Sequence, residues 1–136
     1  MNGSSAGTFV PEPSWLTLPF WEHANRGVLC RQKCASCGYD MFPPQFACRR
    51  CLGTDLPWVS SSGRGRIYSF TILDMGTDGR PLPQQKVLAD VDLEEGWHMM
   101  TNVVGCPPDR VSFGMEVRVV WQRLSDRINL PVFVPE

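Results

Sequence analysis

The sequence predicts a mainly β protein that has one short helix, a cysteine-bearing segment of turns and hairpins, and a small five-stranded barrel at its C-terminal end. Three observations support this prediction. Apolar residues recur at helical spacing over one short stretch, close to residue 20. Two Cys-x-x-Cys pairs follow, and beyond residue 63 the apolar pattern changes to period two in five short runs. Short strands without intervening helices favour a closed or half-closed barrel.

Composition divides the chain into three segments. Residues 1–18 are rich in Gly, Ser and Pro and predict a flexible lead. Residues 19–62 hold the helix and the cysteine pairs, and residues 63–136 hold the strands. With 136 residues, the chain forms one domain or two very small ones. The smaller domain would then need a staple such as a metal ion.

The predicted helix carries an aromatic face. Pro19 fits its first turn and Gly27 its end, and the apolar positions between and beyond them are Phe20, Trp21, Ala24 and Val28. Two turns are not stable alone, so this face must be covered. Packing on the chain's own core is the commoner solution, but we expect Trp15, Phe20 and Trp21 to contact a partner protein.

The strands are predicted from alternation. In the first, Tyr68, Phe70 and Ile72 form the apolar face, and the strand ends at a turn over residues 76–81. The others are expected at residues 86–93, 97–104, 117–121 and 128–134. Pro131 lies in the fifth strand, which predicts that this strand is at an edge.

The two cysteine pairs predict one structural zinc ion, bound by Cys34, Cys37, Cys48 and Cys51. Two residues between thiolates let one tight turn offer both sulfurs to one ion, and two such turns complete a tetrahedron. Gly38 and Gly53 follow the pairs and supply the backbone freedom that such turns need. Because all four positions are filled by sulfur, the metal has no site for water or substrate.

Other interpretations of the cysteines exist. Disulfides are disfavoured in a reducing cytosol, whereas an iron site of rubredoxin type would use the same four ligands. Cys30 and Cys106 lie outside the paired spacing, and we expect each to be a buried thiol or a thiol without a functional role. The two histidines, His23 and His98, give neither thiol an evident base. The sequence therefore carries no catalytic constellation.

Charge is unevenly distributed along the chain. Residues 26–66 carry seven Arg or Lys and two Asp, a net charge of +5, whereas the remainder carries −6. The cysteine-bearing segment is thus expected to face a phosphate or an acidic partner, with Arg49 and Arg50 as candidate contacts to coenzyme A or to the partner. No apolar run is long enough to cross a bilayer, and no secretory signal is evident, so we expect a cytoplasmic protein.

Several short motifs occur in a characteristic order: Pro19-Phe20-Trp21-Glu22, Cys34-Ala35-Ser36-Cys37-Gly38, Phe42-Pro43-Pro44, Cys48-Arg49-Arg50-Cys51, Gly65-Arg66-Ile67-Tyr68-Ser69-Phe70-Thr71 and Asn102-Val103-Val104-Gly105. Over residues 19–134 this series resembles the rubredoxin-like zinc ribbon plus OB-fold family of acyl-CoA-associated proteins. One departure is Gln45, where relatives often carry arginine. The resemblance implies a helix, a zinc ribbon and a C-terminal OB-fold barrel.

The resemblance also implies a function. Members of this family act as non-catalytic accessory subunits of thiolases, or of thiolase-like aldolases and acyltransferases, in coenzyme A dependent lipid metabolism. The implied partner is a thiolase-like subunit in a hetero-oligomer, which supplies the reactive residues and meets acyl-CoA within the complex. The alternative is a nucleic-acid-binding module, since zinc ribbons and OB barrels serve that purpose too. Acidic residues on the barrel oppose it: Asp90, Asp92, Glu94 and Glu95.

Overall fold

The computed structural model describes residues 9–136, and the chain divides into two compact units. The first contains the chain up to Ser60 together with Trp121–Pro131, and the second contains Ser61–Val120 and Val132–Glu136. Part of the lead expected over residues 1–18 lies outside the described residues, whereas Ser14–Thr17 form a hydrogen-bonded turn. No helix in residues 9–136 is long and apolar enough to cross a membrane.

The first unit begins with the predicted helix, α1, which spans Leu18–Asn25. The helix has a proline in its first turn. The N–H group that proline lacks is not needed there, because the first N–H groups of a helix have no intrahelical partner. The helix ends where Gly27 takes a φ of +75° and donates its N–H to the carbonyl of Ala24. Phe20 and Ala24 are the buried residues of the helix.

Three short strands form the sheet of the ribbon. They are β1 (Cys30–Lys33), β2 (Asp40–Met41) and β3 (Trp58–Ser60), in the order β2-β1-β3 with antiparallel pairing. β1 lies in the centre and is buried through its first three residues. The cysteine pairs lie in the turns that follow β1 and β2, outside the strands.

A closed five-stranded barrel forms the second part of the chain and confirms the predicted fold class. Its strands are β4 (Arg64–Met75), β5 (Pro81–Leu93), β6 (His98–Val103), β7 (Glu116–Arg123) and β8 (Asn129–Pro135), with a 3-10 turn at Pro108–Arg110. Their order around the barrel is β4-β5-β6-β8-β7. The buried faces follow the predicted alternation, most clearly in β5, where Val87, Ala89, Val91 and Leu93 are all buried.

β4 differs from the sequence prediction at its apolar face. Its register against β5 shifts between Ile67 and Ser69, where a β-bulge leaves Tyr68 without a cross-strand partner. Ile67 is buried and Tyr68 is exposed, so the inward face carries Ile67 and Phe70. The expectation that Tyr68 shares a half-buried face with Phe70 is therefore wrong, because one extra residue reverses the alternation.

The fifth strand also differs from its prediction. β8 lies between β6 and β7 in the closed barrel, so Pro131 does not mark an edge strand. The described pairing of β8 with β6 joins Phe133 to Val103, beyond the proline. Pro131 lacks an N–H group, but it lies before the contact between β8 and β6, so this contact does not depend on that group.

The tip of the β7–β8 hairpin belongs to the first unit and is joined to α1 by side-chain amides. Buried Asn129 donates from Nδ2 to the carbonyl of Ala24 at 2.9 Å. Asn25 donates to the carbonyl of Arg127 at 2.8 Å and accepts from Arg123 at 3.1 Å. The carbonyl of Ala24 thus accepts from both Gly27 and Asn129, and three side-chain bonds hold the C-terminal end of α1 to the hairpin tip, which fixes the helix although it has only two turns.

Candidate metal centre

The four predicted ligands come together in the first unit. The sulfur atoms of Cys34, Cys37, Cys48 and Cys51 all lie within 4.8 Å of one another. The Sγ–Sγ distance is 3.6 Å for Cys34–Cys51 and 3.7 Å for Cys37–Cys48. Bonds of about 2.3 Å to one ion place tetrahedral sulfur ligands about 3.8 Å apart, so the cluster has the size of one metal site. A disulfide bond would require a distance of about 2.05 Å between two sulfur atoms.

The two pairs lie in equivalent turns, which we call the first knuckle (residues 34–39) and the second knuckle (residues 48–53). In the first, Gly38 N–H donates to Cys34 O and Cys34 N–H donates to the carbonyl of residue 39, at 2.8 and 2.9 Å. In the second, Leu52 N–H donates to Cys48 O and Cys48 N–H to the carbonyl of residue 53, at 2.9 and 2.8 Å. The same backbone scaffold is therefore used twice.

The second knuckle corrects the role expected of its glycine. Gly38 has the expected left-handed conformation, with φ +79°, but in the second knuckle Leu52 takes that conformation, with φ +66°. Gly53 is needed for space instead. A Cβ there would lie 3.2 Å from Ser36 Oγ and 3.3 Å from Cys51 Sγ. Any side chain at residue 53 would crowd the metal cluster.

Backbone N–H groups point at two of the sulfur atoms and stabilise their negatively charged form, which binds a metal cation. Arg50 N–H points to Cys48 Sγ at 3.3 Å and Gly53 N–H to Cys51 Sγ at 3.4 Å. Burial raises the pKa of Cys48, but hydrogen bonds from the backbone of Cys51 and Arg50 outweigh it and lower the pKa to about 6. Hydrogen bonding by the backbone of Cys37 likewise lowers the pKa of Cys34. Two of the ligands thus favour the thiolate form that metals bind. The backbone of Gly53 lowers the pKa of Cys51, but its side-chain contacts with Cys34 and Cys37 and desolvation outweigh this and raise the pKa to about 11, so this sulfur would lose its proton to the metal.

The donor set determines which metals fit. Four thiolates in a tetrahedron suit Zn²⁺ and iron, and are poor ligands for Mg²⁺ or Ca²⁺. Such an ion would be held by Cys34, Cys37, Cys48 and Cys51, with two turns and the β1–β2 hairpin fixed around it. Buried Met41 packs in the same cluster as Cys34 and Cys48, which keeps one side of the site apolar. No coordination position is left for a substrate.

Not all of the basic residues in this segment are available to a ligand. Arg31 is buried and pairs with Asp40 at 3.0 Å, and it also donates to the carbonyl of Ser60 at 2.6 Å. Lys33 lies 3.6 Å from the second oxygen of Asp40. These contacts hold the three strands together, so part of the local positive charge is structural.

The two predicted contact arginines are exposed. Arg49 donates weakly to the carbonyl of Phe42 at 3.5 Å, and the guanidinium of Arg50 lies 5.5 Å from the ring centre of Tyr39. Neither is in an ion pair within the described residues. Both arginines come shortly before Leu52 in the same knuckle, and the Leu52 side chain is 77% exposed, a feature for which the sequence pattern gives no signal. The outer surface of the second knuckle is therefore both basic and apolar.

The three predicted aromatic contacts occupy different environments. Phe20 is 5% exposed, and its ring packs against those of Trp21 at 5.1 Å and Phe42 at 5.3 Å. Its side chain is already covered within its own unit. Trp21 is half-buried, whereas Trp15 is 77% exposed. The aromatic surface left for a partner thus belongs to Trp15 and in part to Trp21.

The remaining thiols and histidines lie apart from the cluster. Cys30 is fully buried, and desolvation raises the pKa of its thiol to about 11. His23 Nδ1 bonds the carbonyl of Pro19 at 2.7 Å. His98 is exposed on β6 and pairs with Asp92 across the sheet. These residues are consistent with structural or surface roles.

Comparison with known proteins assigns the family. Residues 58–122 match the family model described as the ChsH2 C-terminal OB-fold domain. A DUF35 domain-containing scaffold protein of Methanothermobacter thermautotrophicus is 33% identical, over 81% of this chain and 84% of that protein. The chain belongs to the DUF35 family. This confirms the resemblance found in the sequence.

Other relatives of this DUF35 protein are enzyme subunits. A probable enoyl-CoA hydratase alpha subunit of Thermomonospora curvata is 35% identical over 85% of this chain, which spans only 36% of that subunit's length. The benzoylsuccinyl-CoA thiolase subunit BbsA of Thauera aromatica is 31% identical over 55% of this chain and 51% of its own. The solved structure of the Ltp2-ChsH2(DUF35) aldolase matches with a TM-score of 0.80 and 32% identity, covering 93% of this chain and 98% of that one.

Proposed function

We propose that this DUF35 protein is a zinc-binding, non-catalytic accessory subunit of a thiolase-type acyl-CoA enzyme complex, in which it stabilises its partner and helps to shape the acyl-CoA site. The observation that carries the proposal is a closed four-thiolate centre in a chain related to a scaffold protein, a thiolase subunit and a structure of an aldolase. In this proposal the metal fixes the ribbon, and the partner supplies the chemistry, whether as thiolase, aldolase or acyltransferase.

The nucleophiles of the chain support a role without catalysis. A thiol attacks an acyl group only as the thiolate, and burial keeps Cys30 protonated with a pKa of about 11. The cysteines with lowered pKa values are the ligands themselves, which a metal would occupy. We therefore expect the isolated chain to turn over no acyl-CoA substrate.

Trp15 is the best-placed anchor for the partner. It lies on a turn closed by reciprocal bonds between Ser14 and Thr17, in which each backbone N–H donates to the other's side-chain oxygen, at 2.9 and 3.2 Å. An exposed indole on an ordered turn loses little entropy when it is buried, and Trp is enriched among the residues that dominate interface energies. In our proposal half-buried Trp21, on α1, also contacts the partner.

The second knuckle supplies a basic contact beside an apolar one. Arg49 and Arg50 are exposed, and no carboxylate in the described residues pairs with either of them. In our proposal they meet the phosphates of coenzyme A or acidic groups on the partner, with Leu52 packing beside them. Charges at the rim of such an interface affect association rate and salt dependence more than affinity.

The nucleic-acid alternative receives less support. Binding of a single strand by an OB barrel needs a basic groove. On this barrel Arg64 pairs with Glu136 at 2.6 Å, and Arg66 pairs with Glu116 at 2.9 Å. Arg118 lies 3.5 Å from the other oxygen of Glu136. These three cations are therefore neutralised locally rather than offered to phosphate.

Affinity purification of the tagged chain from its native host, followed by calorimetry with the recovered thiolase-like subunit, tests the proposal. Trp15→Ala is expected to weaken the complex at least about tenfold, a loss of about 1.4 kcal/mol or more. Phe113→Ala is the matched control, because it removes another exposed aromatic ring from the barrel. Recovery of no acyl-CoA enzyme, or turnover by the isolated chain, would refute the proposal.

A further inference from the structure

The outer parts of β4 and β5 each have one edge without a partner strand. β4 pairs with β7 only through Arg64–Arg66, and β5 pairs with β6 only through Val87–Asp92. Within the described residues, positions 68–75 of β4 therefore have β5 as their only strand neighbour, with residues 69–72 opposite residues 87–90, and positions 81–86 of β5 have only β4. We call positions 68–75 and 81–86 the hairpin arm. A long unpaired strand edge is a template for the addition of another strand.

The two free edges of the hairpin arm are unlike each other. The β5 edge carries Pro81, Pro83 and Lys86, which remove backbone donors or add charge and so resist the addition of another strand. The β4 edge over residues 68–73 reads Tyr-Ser-Phe-Thr-Ile-Leu and contains neither proline nor charge. These residue types favour strands strongly. One edge is protected against strand addition, and the other is open to it.

The open edge is bounded by apolar surface. It begins where Ile67 exchanges backbone bonds with Gly114 and Met115, at 2.7 and 3.0 Å, and beyond that point the edge is free in the described structure. Phe113 lies beside this end, 72% exposed, with its ring 5.1 Å from that of Phe70. Met75 is exposed at the far end. An occupant of the edge would therefore bury apolar side chains as well as backbone groups.

We propose that the free edge of β4 pairs antiparallel with the same edge of a second copy of this chain, so that the sheets of the two copies become continuous across their β4 strands. The free backbone groups require a strand as the occupant. A second copy is self-complementary when the two-fold axis passes through Thr71. Thr71 then faces Thr71, and Phe70 faces Ile72 twice, which are favourable cross-strand pairs.

Charge agrees with this register. The one acidic residue in the paired segment, Asp74, falls opposite Tyr68, whose phenol can donate to it. No like charges are opposed between the two copies. An isologous contact of this kind closes at two chains, since each copy has only one such edge in the described structure. The contact is small, so the dimer is expected to be weak, with a dissociation constant on the order of 10 µM.

Sedimentation velocity of the full zinc-loaded chain tests the pairing from about 5 to 300 µM, a range that brackets affinities of this size. The wild type is expected to shift from monomer to dimer. Thr71→Lys places two ammonium groups opposite each other and should raise the dissociation constant at least about tenfold. Gln84→Lys is the matched control, because it adds the same charge to the other edge of the arm and should leave the dimer intact.

A charge-swap experiment tests the register. Thr71→Glu is expected to dissociate like Thr71→Lys, whereas an equimolar mixture of the two variants should dimerise again because lysine then faces glutamate. Circular dichroism checks that each variant folds. A wild type that stays monomeric throughout, a Thr71→Lys variant that dimerises as well as the wild type, or a mixture that remains monomeric would each overturn the proposal. Pairing of the arm with a different protein would appear as the first of these results.

Discussion

Leu52 occupies in the second knuckle the position that Gly38 occupies in the first. Both residues donate their N–H to the carbonyl of the first cysteine of their knuckle, at 2.8 Å for Gly38 and 2.9 Å for Leu52, and both have positive φ. Glycine adopts this conformation freely, whereas a leucine there is strained by about 1 kcal/mol. The leucine side chain is also 77% exposed. Strain without burial points to a role for this side chain outside the chain's own core.

The strain predicts an inverted order of stability at residue 52. Leu52→Ala removes the side chain but keeps a Cβ at positive φ, whereas Leu52→Gly removes both. We therefore expect the glycine variant to be more stable than the alanine variant by about 1 kcal/mol. The measurement is thermal or denaturant unfolding of the zinc-loaded proteins.

Phe46 provides the control for this comparison. It is exposed in the loop between the cysteine pairs and does not have positive φ. Phe46→Ala should be at least as stable as Phe46→Gly, because glycine carries more conformational entropy into the unfolded chain. If alanine were also the better residue at position 52, the strain assigned to Leu52 would be refuted.

The metal centre predicts one zinc per chain and a dependence of folding on it. Cys48→Ser should lose the ion and unfold the ribbon, because three thiolates cannot complete the site. Cys106→Ser is the control and should retain one zinc per chain, since Cys106 lies outside the cluster. Elemental analysis and near-ultraviolet circular dichroism measure both effects. A Cys48→Ser protein with full zinc content would contradict the assignment.

Zinc affinity is expected to fall as pH falls, because protons compete for the sulfurs. Burial raises the pKa of Cys48, but hydrogen bonds from the backbone of Cys51 and Arg50 outweigh it and lower the pKa to about 6 in the folded second knuckle. Zinc should therefore be retained at pH 7 and lost progressively as the pH falls below about 6, and the ribbon should unfold with the loss of zinc. Competition with a chelator at several pH values from about 4 to 8 measures the zinc affinity. An affinity that stays constant over this range would contradict the prediction.

Much of this fold could be predicted from the sequence because its signals are local. The alternation of Val87, Ala89 and Val91 depends only on the pleat of one strand, and the structure confirms it. The Cys-x-x-Cys spacing likewise fixes each knuckle within a few residues. Tyr68 was misplaced because a β-bulge follows from how two strands meet, which periodicity within one strand does not record.

The parts that escaped prediction depend on contacts far apart in sequence. Arg31 contributes to the positive net charge of residues 26–66, which predicted an acidic partner, but it is buried and paired with Asp40. The bond from Asn129 to Ala24 spans most of the chain and assigns a hairpin tip to the first unit. Leu52 gave no signal in the sequence, since a glycine follows it and appeared to supply the flexibility that the turn needs.

Glu95 predicts a pH-dependent contribution to barrel stability. Burial raises its pKa, but hydrogen bonds from Ser62, Ser61 and Trp97 outweigh this and hold it below the ordinary value. Because the folded-state pKa is depressed, the stabilisation is present above the unfolded pKa, near 4.5, and is lost as pH falls below it. Glu95→Gln should lose about 1 kcal/mol at pH 7, since the group is partly exposed, and less at pH 3 because the carboxylate becomes protonated as the pH falls through its folded-state pKa. An equal loss at both values would contradict this.

Gly65 predicts the cost of disturbing barrel closure. This residue pairs with Leu93 on β5 and with Val117 on β7, so β4 is held on both sides at this position. A Cβ at residue 65 would overlap the backbone carbonyl of Asp92 and lie 2.9 Å from a methyl group of Val91. Backbone cannot rotate away, and overpacking of this kind destabilises by about 1–3 kcal/mol. We therefore expect Gly65→Ala to lower the free energy of unfolding by at least about 2 kcal/mol in denaturant titrations.

Gly79→Ala is the control for this prediction. Nothing lies within 4 Å of a Cβ at that exposed turn, and only its φ of +79° is unfavourable for alanine. The loss of stability there should therefore be about 1 kcal/mol. If Gly65→Ala were no more destabilising than Gly79→Ala, the steric constraint assigned to Gly65 would be refuted.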